Sequence, residues 1–224
     1  MRSSVPDLVF AELRDAICSG RYQPGERLPT QRTLAAEFGV NLAAVREALG
    51  RLEQLRLVEV RHGDATRVLD WRRSGGLEAL AQLGGAHSEE AIAPLFEARR
   101  LLLVEAGRLA AERRTDAQAE QLVALAGAFA AAGDDSSALL ADWAFMNAVI
   151  EAAGNLVFQL IMNSVRELYL PHAERFAAVV SRREELAGLY ARAASAISAG
   201  DAAEAARVIG TLAGAQEARM AAST

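Results

Sequence analysis

Hydrophobic residues recur at helical spacing along most of the chain, and glycine and proline residues separate them into segments. The first segment, residues 6–19, predicts a helix that ends at Gly20. Its apolar face consists of Leu8, Val9, Ala11, Leu13, Ala16 and Ile17. Pro24 and Gly25 then predict a turn. We expect this first helix to pack its apolar face under the elements that follow.

Residues 27–51 predict two short helices joined by a tight turn. Thr30 is a candidate N-cap of the first helix, and Gly39 suits the turn that ends it. After Asn41, a second helix runs from Leu42 to about residue 54. Two helices with so short a joint form a helix-turn-helix, whose second helix commonly enters the major groove of DNA. The same outline also occurs as an ordinary helical hairpin within a protein core.

The segment after these helices alternates apolar and polar residues around a His-Gly-Asp turn. This alternation predicts a hairpin of two short strands, residues 57–61 and 66–69, with His62 and Gly63 at its tip. A hairpin in this position is typical of the wing of a winged helix.

From Glu90 onward the pattern predicts only helices. The expected spans are 90–112, 116–132, 135–153, 155–168, 172–180, 182–199 and 201–221. Two Gly-Gly pairs before them flank a short apolar helix, which marks a link between domains. We therefore predict an N-terminal domain of residues 1–73, a link of residues 74–89 and an all-helical domain of residues 90–221. The interior of such a bundle is where a ligand pocket would be built.

Composition and charge agree with this division. The 224-residue chain is 52% hydrophobic but has no apolar run near the ~18 residues of a membrane span. Residues 1–73 hold 12 arginines against 10 acidic residues, whereas residues 74–224 hold 12 against 19. A small DNA-binding domain joined to an acidic second domain accounts for that charge distribution.

The start of the chain and its cysteine content indicate a compartment. The first ten residues lack the apolar core of a signal peptide. The single cysteine, Cys18, has no partner for an internal disulfide and lies on an apolar helical face. We expect a cytoplasmic protein without a membrane partner, in which Cys18 is a buried, inert thiol.

Several motifs coincide with a known family. They are G-x-x-x-PG-x-x-LP at residues 20–29, R-x-LA at 32–35, VREAL at 45–49, the hairpin and the all-helical remainder. Together they resemble the FadR-like branch of the GntR family of bacterial transcription regulators, over almost the whole chain. The resemblance implies a mostly α fold with a winged helix-turn-helix and a helical effector domain. It also implies a homodimer that reads a palindromic operator in double-stranded DNA.

The resemblance assigns DNA contacts to Arg32 and Arg46. An arginine fork can pair with a phosphate or with the edge of guanine, although surface ion pairs to Glu37 or Glu53 are the alternative.

Other expected contacts depart from the family pattern or depend on exposure. The family usually starts its recognition helix with a hydroxyl residue and an arginine, where this chain has Asn41 and Leu42. Asn41 can cap the helix or reach adenine, and Leu42 can touch a thymine methyl group. The resemblance places His62 and Gly63 in the minor groove, whereas a lone histidine on a hairpin tip is otherwise simply exposed.

In the effector domain, many members of this branch hold a divalent metal with one aspartate and three histidines. The corresponding positions here are Asp142, Met146, about Tyr190 and Leu212. Because only the aspartate remains, we predict no metal and no other cofactor.

The fatty acyl-CoA-responsive members of the branch replace the metal site with an apolar tunnel, and the string AAGNLVFQLIMNSVRELY resembles theirs. The residues that could line such a tunnel are Phe145, Met146, Phe158, Leu160, Met162, Tyr169 and Tyr190. Plain core packing explains the same residues. Arg99 could bind a carboxylate or phosphate of the effector, or could form a structural salt bridge.

The predicted function is a ligand-responsive transcription regulator, a repressor whose effector is an acyl-CoA or a small organic acid. We predict no enzymatic activity, since no nucleophile elbow, phosphate-binding glycine loop or paired carboxylates occur in a recognisable context. The apolar start of the recognition helix, Leu42 to Ala44, motivates one alternative. In that alternative the chain is a helical ligand-binding protein or an enzyme whose head no longer recognises an operator.

Overall fold

A computed structural model gives the fold of residues 4–60, 66–80, 90–169 and 176–223. The chain divides into two compact units, residues 1–89 and residues 90–224. Each unit has a hydrophobic core of its own. Among the helices in the described ranges, none combines the length and the apolar character that a membrane span requires.

The first unit consists of helices and a short antiparallel hairpin. Its elements are α1 (Val5–Cys18), α2 (Gln31–Phe38), α3 (Leu42–Gln54), β1 (Val58–Glu59), β2 (Arg67–Val68), α4 (Trp71–Ser74) and α5 (Leu77–Leu80). Val58 pairs with Val68, and the amide of Leu28 donates to the carbonyl of Thr66 at 2.9 Å, which ties the segment before α2 to the hairpin. The predicted winged helix-turn-helix is confirmed, with strands that are shorter than predicted in the described residues.

Polar side chains fix where the two motif helices begin. The hydroxyl of Thr30 accepts the N–H of Thr33 at 3.2 Å, and Oδ1 of Asn41 accepts the N–H of Ala44 at 2.9 Å. Gly39 follows α2 with a φ of 64°, in the left-handed region. The predicted caps at Thr30 and Asn41 and the turn at Gly39 are therefore confirmed.

Gly39→Ala is expected to destabilise the first unit by about 1 kcal/mol, because a side chain disfavours the left-handed backbone. Gly50 provides the matched control. It lies inside α3, and an added Cβ would meet no atom within 4 Å. Gly50→Ala should therefore stabilise the unit by roughly 0.5–1 kcal/mol. Urea unfolding of both variants measures the difference, and the same sign for both would contradict the conformational argument.

The core of the first unit joins α1, α2, α3 and the hairpin. Its buried side chains are Val9, Phe10, Leu13, Ile17, Leu28, Leu34, Val45, Ala48, Leu49, Leu52, Leu57, Val58 and Val68, and Trp71 packs against them partly buried. The prediction for Leu8 is wrong, since this residue is 57% exposed and Phe10 is buried on the same helix. Cys18 is buried as predicted, and burial raises the pKa of its thiol.

An ion pair links α1 to α3. The guanidinium of Arg51 donates to Oδ1 of Asp7 at 2.7 Å and lies 4.1 Å from the ring centre of Phe10. The side chain of Ser4 and then Arg51 hydrogen bond to the Asp7 carboxylate, which lowers its pKa to about 2. Arg51 thus has a structural role in the first unit.

The Asp7 pair should make the stability of the first unit depend on pH. Because the folded pKa is about 2 and the ordinary value is ~3.9, the stabilisation is complete above the ordinary value and is lost as pH falls towards about 2. Asp7→Asn should therefore lower the urea midpoint at neutral pH and have almost no effect near the folded pKa. A difference between the proteins that does not change with pH would show that the carboxylate charge contributes nothing.

The second unit is entirely helical in its described residues, as predicted. Its elements are α6 (Ile92–Arg113), α7 (Asp116–Ala130), α8 (Asp135–Ala152), α9 (Leu156–Tyr169), a 3₁₀ turn at residues 176–180, α10 (Arg183–Ala199) and α11 (Ala202–Ser223). The long helices α6 and α11 pack along each other, and a Cβ on Gly107 would lie 2.5 Å from Cδ1 of Ile209. Glycine at position 107 is what permits this close approach.

The core of the second unit is built from α6, α7, α8, α10 and α11, with Met162 of α9 and three side chains of the 3₁₀ turn. Large side chains with no more than 1% exposure include Leu103, Leu122, Phe129, Phe145, Met146, Tyr190 and Leu212. Trp143 packs against this core and is partly buried. Inside it lie the buried polar side chains Asp142 and Gln216.

Candidate nucleic-acid interface and effector site

The two candidate DNA-contacting arginines lie close together on the first unit. Arg46 is exposed on α3, and its Nε donates to Oε1 of Gln31 at 3.2 Å. Gln31 is the first residue of α2, so the Arg46 guanidinium lies beside the turn that carries the exposed Arg32. In the described part of the chain, neither arginine forms an ion pair with Glu37 or Glu53. Both guanidinium groups are therefore available to an external anion.

The start of α3 offers limited contacts to a base. Oδ1 of Asn41 already accepts the cap hydrogen bond, so the amide NH₂ group is the part of this side chain that remains for a base. Bidentate pairing with adenine would use both groups and would break the cap. Leu42 is 36% exposed, whereas Ala44 is buried in the first unit. Leu42 can thus meet an apolar group such as a thymine methyl, and Ala44 cannot.

The described part of the wing contains its two strands. Arg67 on β2 points back to the protein, where its NH1 donates to the carbonyl of Gly25 at 3.4 Å. The predicted tip residues, His62 and Gly63, lie outside the described residues.

A buried polar cluster lies inside the second unit, and four helices supply its members. The Tyr190 hydroxyl donates to Oδ1 of Asp142 at 2.5 Å, and Nε2 of Gln216 donates to the same oxygen at 2.8 Å. Arg99 completes it, with NH1 donating to Oε1 of Gln216 at 2.8 Å and NH2 lying 3.4 Å from Oδ2 of Asp142. Only 9% of the Arg99 side chain and 1% of the Asp142 side chain are exposed.

Aromatic rings surround this cluster. The Tyr190 ring stacks on Phe129 with 3.9 Å between ring centres and meets the edge of Phe145 at 5.0 Å. On the other side, the Arg99 guanidinium lies 5.7 Å from the ring of Phe96, which also contacts Phe176. Buried charges interact strongly in such surroundings, because little water screens them. The cluster is a polar site with apolar walls.

Comparison with known proteins accounts for both units. The family described as "Bacterial regulatory proteins, gntR family" matches residues 7–68, and the "FCD domain" matches residues 94–213. HTH-type transcriptional regulator Mce2R of Mycobacterium tuberculosis is 35% identical over 203 residues, which cover 89% of this chain and 85% of that protein. The chain belongs to the GntR family.

Further relatives agree with this assignment. The fatty acid metabolism regulator protein of Escherichia coli O9:H4 is 28% identical over 85% of this chain and 81% of its own length. A solved structure described as "Lar controls the expression of the Listeria monocytogenes agr system and mediates virulence" superposes with a TM-score of 0.61 at 17% identity, covering 99% of each chain. That likeness shows the fold alone.

Membership of the GntR family gives the general function. The protein is a DNA-binding transcription regulator with an FCD effector domain and is not an enzyme. The arginines on α2 and α3 therefore belong to its DNA-binding domain, and the polar cluster belongs to the effector domain.

The FCD site of this regulator does not fit a divalent metal. Apart from Asp142, its described side chains are the phenol of Tyr190, the amide of Gln216 and the nearby thioether of Met146, none of which supplies an imidazole nitrogen. The guanidinium of Arg99 already lies against the carboxylate. Within the described residues, no group of three or more His, Cys, Asp or Glu side chains could hold a metal ion.

The structure brings some of the predicted effector residues together and separates others. Arg99, Phe145 and Tyr190 lie in or against the polar cluster, and Met146 lies one turn after Asp142 on the same helix. The prediction for Leu160 is wrong, since it is 56% exposed on α9. The side chain of Tyr169 lies outside the described residues.

Sequence reasoning missed Gln216. The resemblance puts the last metal-ligand position of the family at about Leu212, one helical turn earlier, where the side chain is fully buried in the core. The signal that could have identified Gln216 is a single amide on the otherwise apolar face of α11, where the other buried side chains are apolar.

Proposed function

We propose that this GntR regulator is a homodimeric repressor whose operator binding weakens when an organic acid binds at the polar cluster. One observation carries the proposal. The Arg99 side chain is almost completely buried, and its two terminal nitrogens have different partners. One contacts the Asp142 carboxylate, and the other donates to the neutral amide of Gln216. A carboxylate could replace that amide with a stronger, charge-assisted bond.

The cluster also offers a route from ligand to structural change. Arg99 lies on α6, Asp142 on α8, Tyr190 on α10 and Gln216 on α11. A ligand that displaced Gln216 would alter bonds to three other helices at once. In a homodimer, such a shift could change the separation of the two DNA-binding domains on a palindromic operator.

On the DNA side, we propose that Arg32 and Arg46 contact the operator, with Asn41 donating through its free amide group. His62 and Gly63 at the wing tip are proposed to reach the minor groove. Because Leu42 at the start of α3 is apolar, we propose that contacts to phosphates contribute more to operator affinity than contacts to base edges.

A fatty acyl-CoA is the second candidate effector. The relative named as a fatty acid metabolism regulator and the apolar walls around Tyr190 favour it. An acyl chain would need space that Phe129, Phe145 and Met146 now fill, so these side chains would have to move. An organic acid requires a smaller rearrangement and is our first choice.

A gel-shift titration on the upstream region of the protein's own gene tests the proposal. Purified protein should shift this DNA at low salt, and the active effector should release it. Short organic acids and long-chain acyl-CoAs are added in separate series to distinguish the two candidates. Failure to shift any operator DNA would contradict the DNA-binding role, and derepression of a reporter upon gene deletion tests the repressor role.

Arg99→Lys and Arg100→Lys form a matched pair for the same assay. Arg100 is the next residue on α6 and pairs outside the cluster with Glu217 at 2.8 Å. Both lysine variants should keep DNA binding, but only Arg99→Lys should lose the response to the acid, because lysine lacks the planar fork. An unchanged response in Arg99→Lys would exclude Arg99 as the effector anchor.

A further inference from the structure

We infer that Arg99 takes the place of a divalent metal in this FCD domain, so that the effector is recognised without a metal ion and carries a single negative charge. The inference that the effector carries a single negative charge rests on the proposed function above. The inference that no metal ion takes part follows from the cluster itself. Both start from the contacts of Asp142.

The Asp142 carboxylate is already bound on both oxygens. Tyr190 and Gln216 donate to Oδ1 at 2.5 and 2.8 Å, and the Arg99 guanidinium lies 3.4 Å from Oδ2. A metal ion bound to Asp142 would have to displace these donors and would lie against a like charge. The position of Arg99 therefore favours a site that excludes cations.

The side chains near Asp142 would also be poor substitutes for metal ligands. Tyr190 and Gln216 are hydrogen-bonded to each other at 3.0 Å and present a phenol and an amide. Met146 is a buried thioether one turn after Asp142. Divalent zinc, nickel and manganese sites require imidazole, thiolate or carboxylate ligands, and Asp142 is the single such ligand among these four residues.

The charge balance of the cluster limits the ligand. Arg99 and Asp142 carry opposite charges, and Arg100, the next residue on α6, pairs with Glu217 outside the cluster. A divalent ion would add two positive charges and could balance a di- or tricarboxylate. Without it, a second carboxylate would enter an apolar, buried site where Arg99 is the single cation among the described members of the cluster and already pairs with Asp142.

Acids of equal length distinguish these cases. Butanoate and butanedioate, which are short enough to avoid the large rearrangement that an acyl chain needs, are titrated into the full-length protein with and without EDTA. Binding is followed by the melting temperature and by calorimetry. We expect butanoate to bind at least tenfold more tightly than butanedioate, with no effect of EDTA. Tighter binding of the diacid, or loss of binding in EDTA, would overturn this inference alone. No binding of either acid would overturn the organic-acid effector proposed above.

A metal titration decides the metal question separately. The native protein should contain no stoichiometric metal after purification, and zinc, nickel or manganese should leave its melting temperature unchanged. The triple variant Arg99→Met, Met146→His and Gln216→His removes the buried cation, adds two imidazoles beside Asp142 and keeps the stacked ring of Tyr190. It should gain a metal-dependent rise in melting temperature that EDTA reverses.

Met162→His provides the control, because Met162 is also a buried methionine but lies on α9. It should gain no metal response. Stoichiometric metal in the native protein would overturn the inference. So would a well-folded triple variant, judged by circular dichroism, that binds no metal, because the Asp142 site would then not correspond to the metal position.

Discussion

Replacing Arg46 with alanine is expected to weaken operator binding by about 1–3 kcal/mol, roughly 5- to 150-fold. Arg46 is exposed on α3, has no ion-pair partner in the described part of the chain, and is held beside Arg32 by Gln31. Its loss should leave the fold intact, since the core side chains of α3 are unchanged. Fluorescence anisotropy with labelled operator DNA at several salt concentrations measures the effect.

Arg46→Lys separates two ways in which Arg46 could bind. If Arg46 contacts a phosphate, Arg46→Lys should keep most of the affinity. Arg46→Ala should then lower the slope of log affinity against log salt concentration by about one released counterion. If Arg46 reads a guanine edge with its fork, lysine should lose nearly as much affinity as alanine. Arg51→Ala is a control on the same helix, because Arg51 pairs with Asp7 and should affect stability more than affinity. Wild-type affinity in Arg46→Ala would contradict the assignment.

Replacing Asp142 with alanine should destabilise the effector domain by about 3–5 kcal/mol, because it leaves the buried Arg99 charge without its carboxylate. Tyr190 and Gln216 would lose the acceptor they share. For a protein of this size we expect the melting temperature to fall by roughly 6–20 °C. Circular dichroism detects this transition well, since the second unit is almost entirely helical.

Asp135→Ala is the matched control for this prediction. Asp135 begins the same helix, is exposed, and lies 3.8 Å from Arg183. Its replacement should cost no more than ~1 kcal/mol. The double variant Asp142→Leu with Arg99→Met should recover much of the lost stability, because it removes both buried charges. If Asp142→Ala and Asp135→Ala melted alike, the buried cluster would not contribute to stability as argued.

Local signals explain why much of the fold could be predicted. Thr30, Gly39 and Asn41 act on backbone groups within a few residues, so the limits of α2 and α3 followed from the chain itself. Helical periodicity and turn residues located the helices of the second unit in the same way. On the broad apolar face of α1 the periodicity is ambiguous. The predicted face therefore includes the exposed Leu8 and omits the buried Phe10.

The candidate site depended on contacts that the sequence does not encode locally. Gln216 lies 117 positions from Arg99 and 74 from Asp142, and only the packing of α6, α8 and α11 brings them together. The stacking of Tyr190 on Phe129 likewise depends on how α7 and α10 meet. Leu160 was wrongly predicted for a related reason. An apolar residue in a helical pattern gives no information about whether another helix covers it.

The two tryptophans divide evenly between the two units, Trp71 in the first and Trp143 in the second, and each packs partly buried against its own core. The protein therefore carries one tryptophan in each domain, and tryptophan emission can be excited separately from that of the three tyrosines. In a Trp71→Phe background, emission would come from Trp143, next in the chain to Asp142, and would report the arrival of an effector. In a Trp143→Phe background, Trp71 would report whether that signal reaches the DNA-binding domain, and the delay between the two would time its transmission.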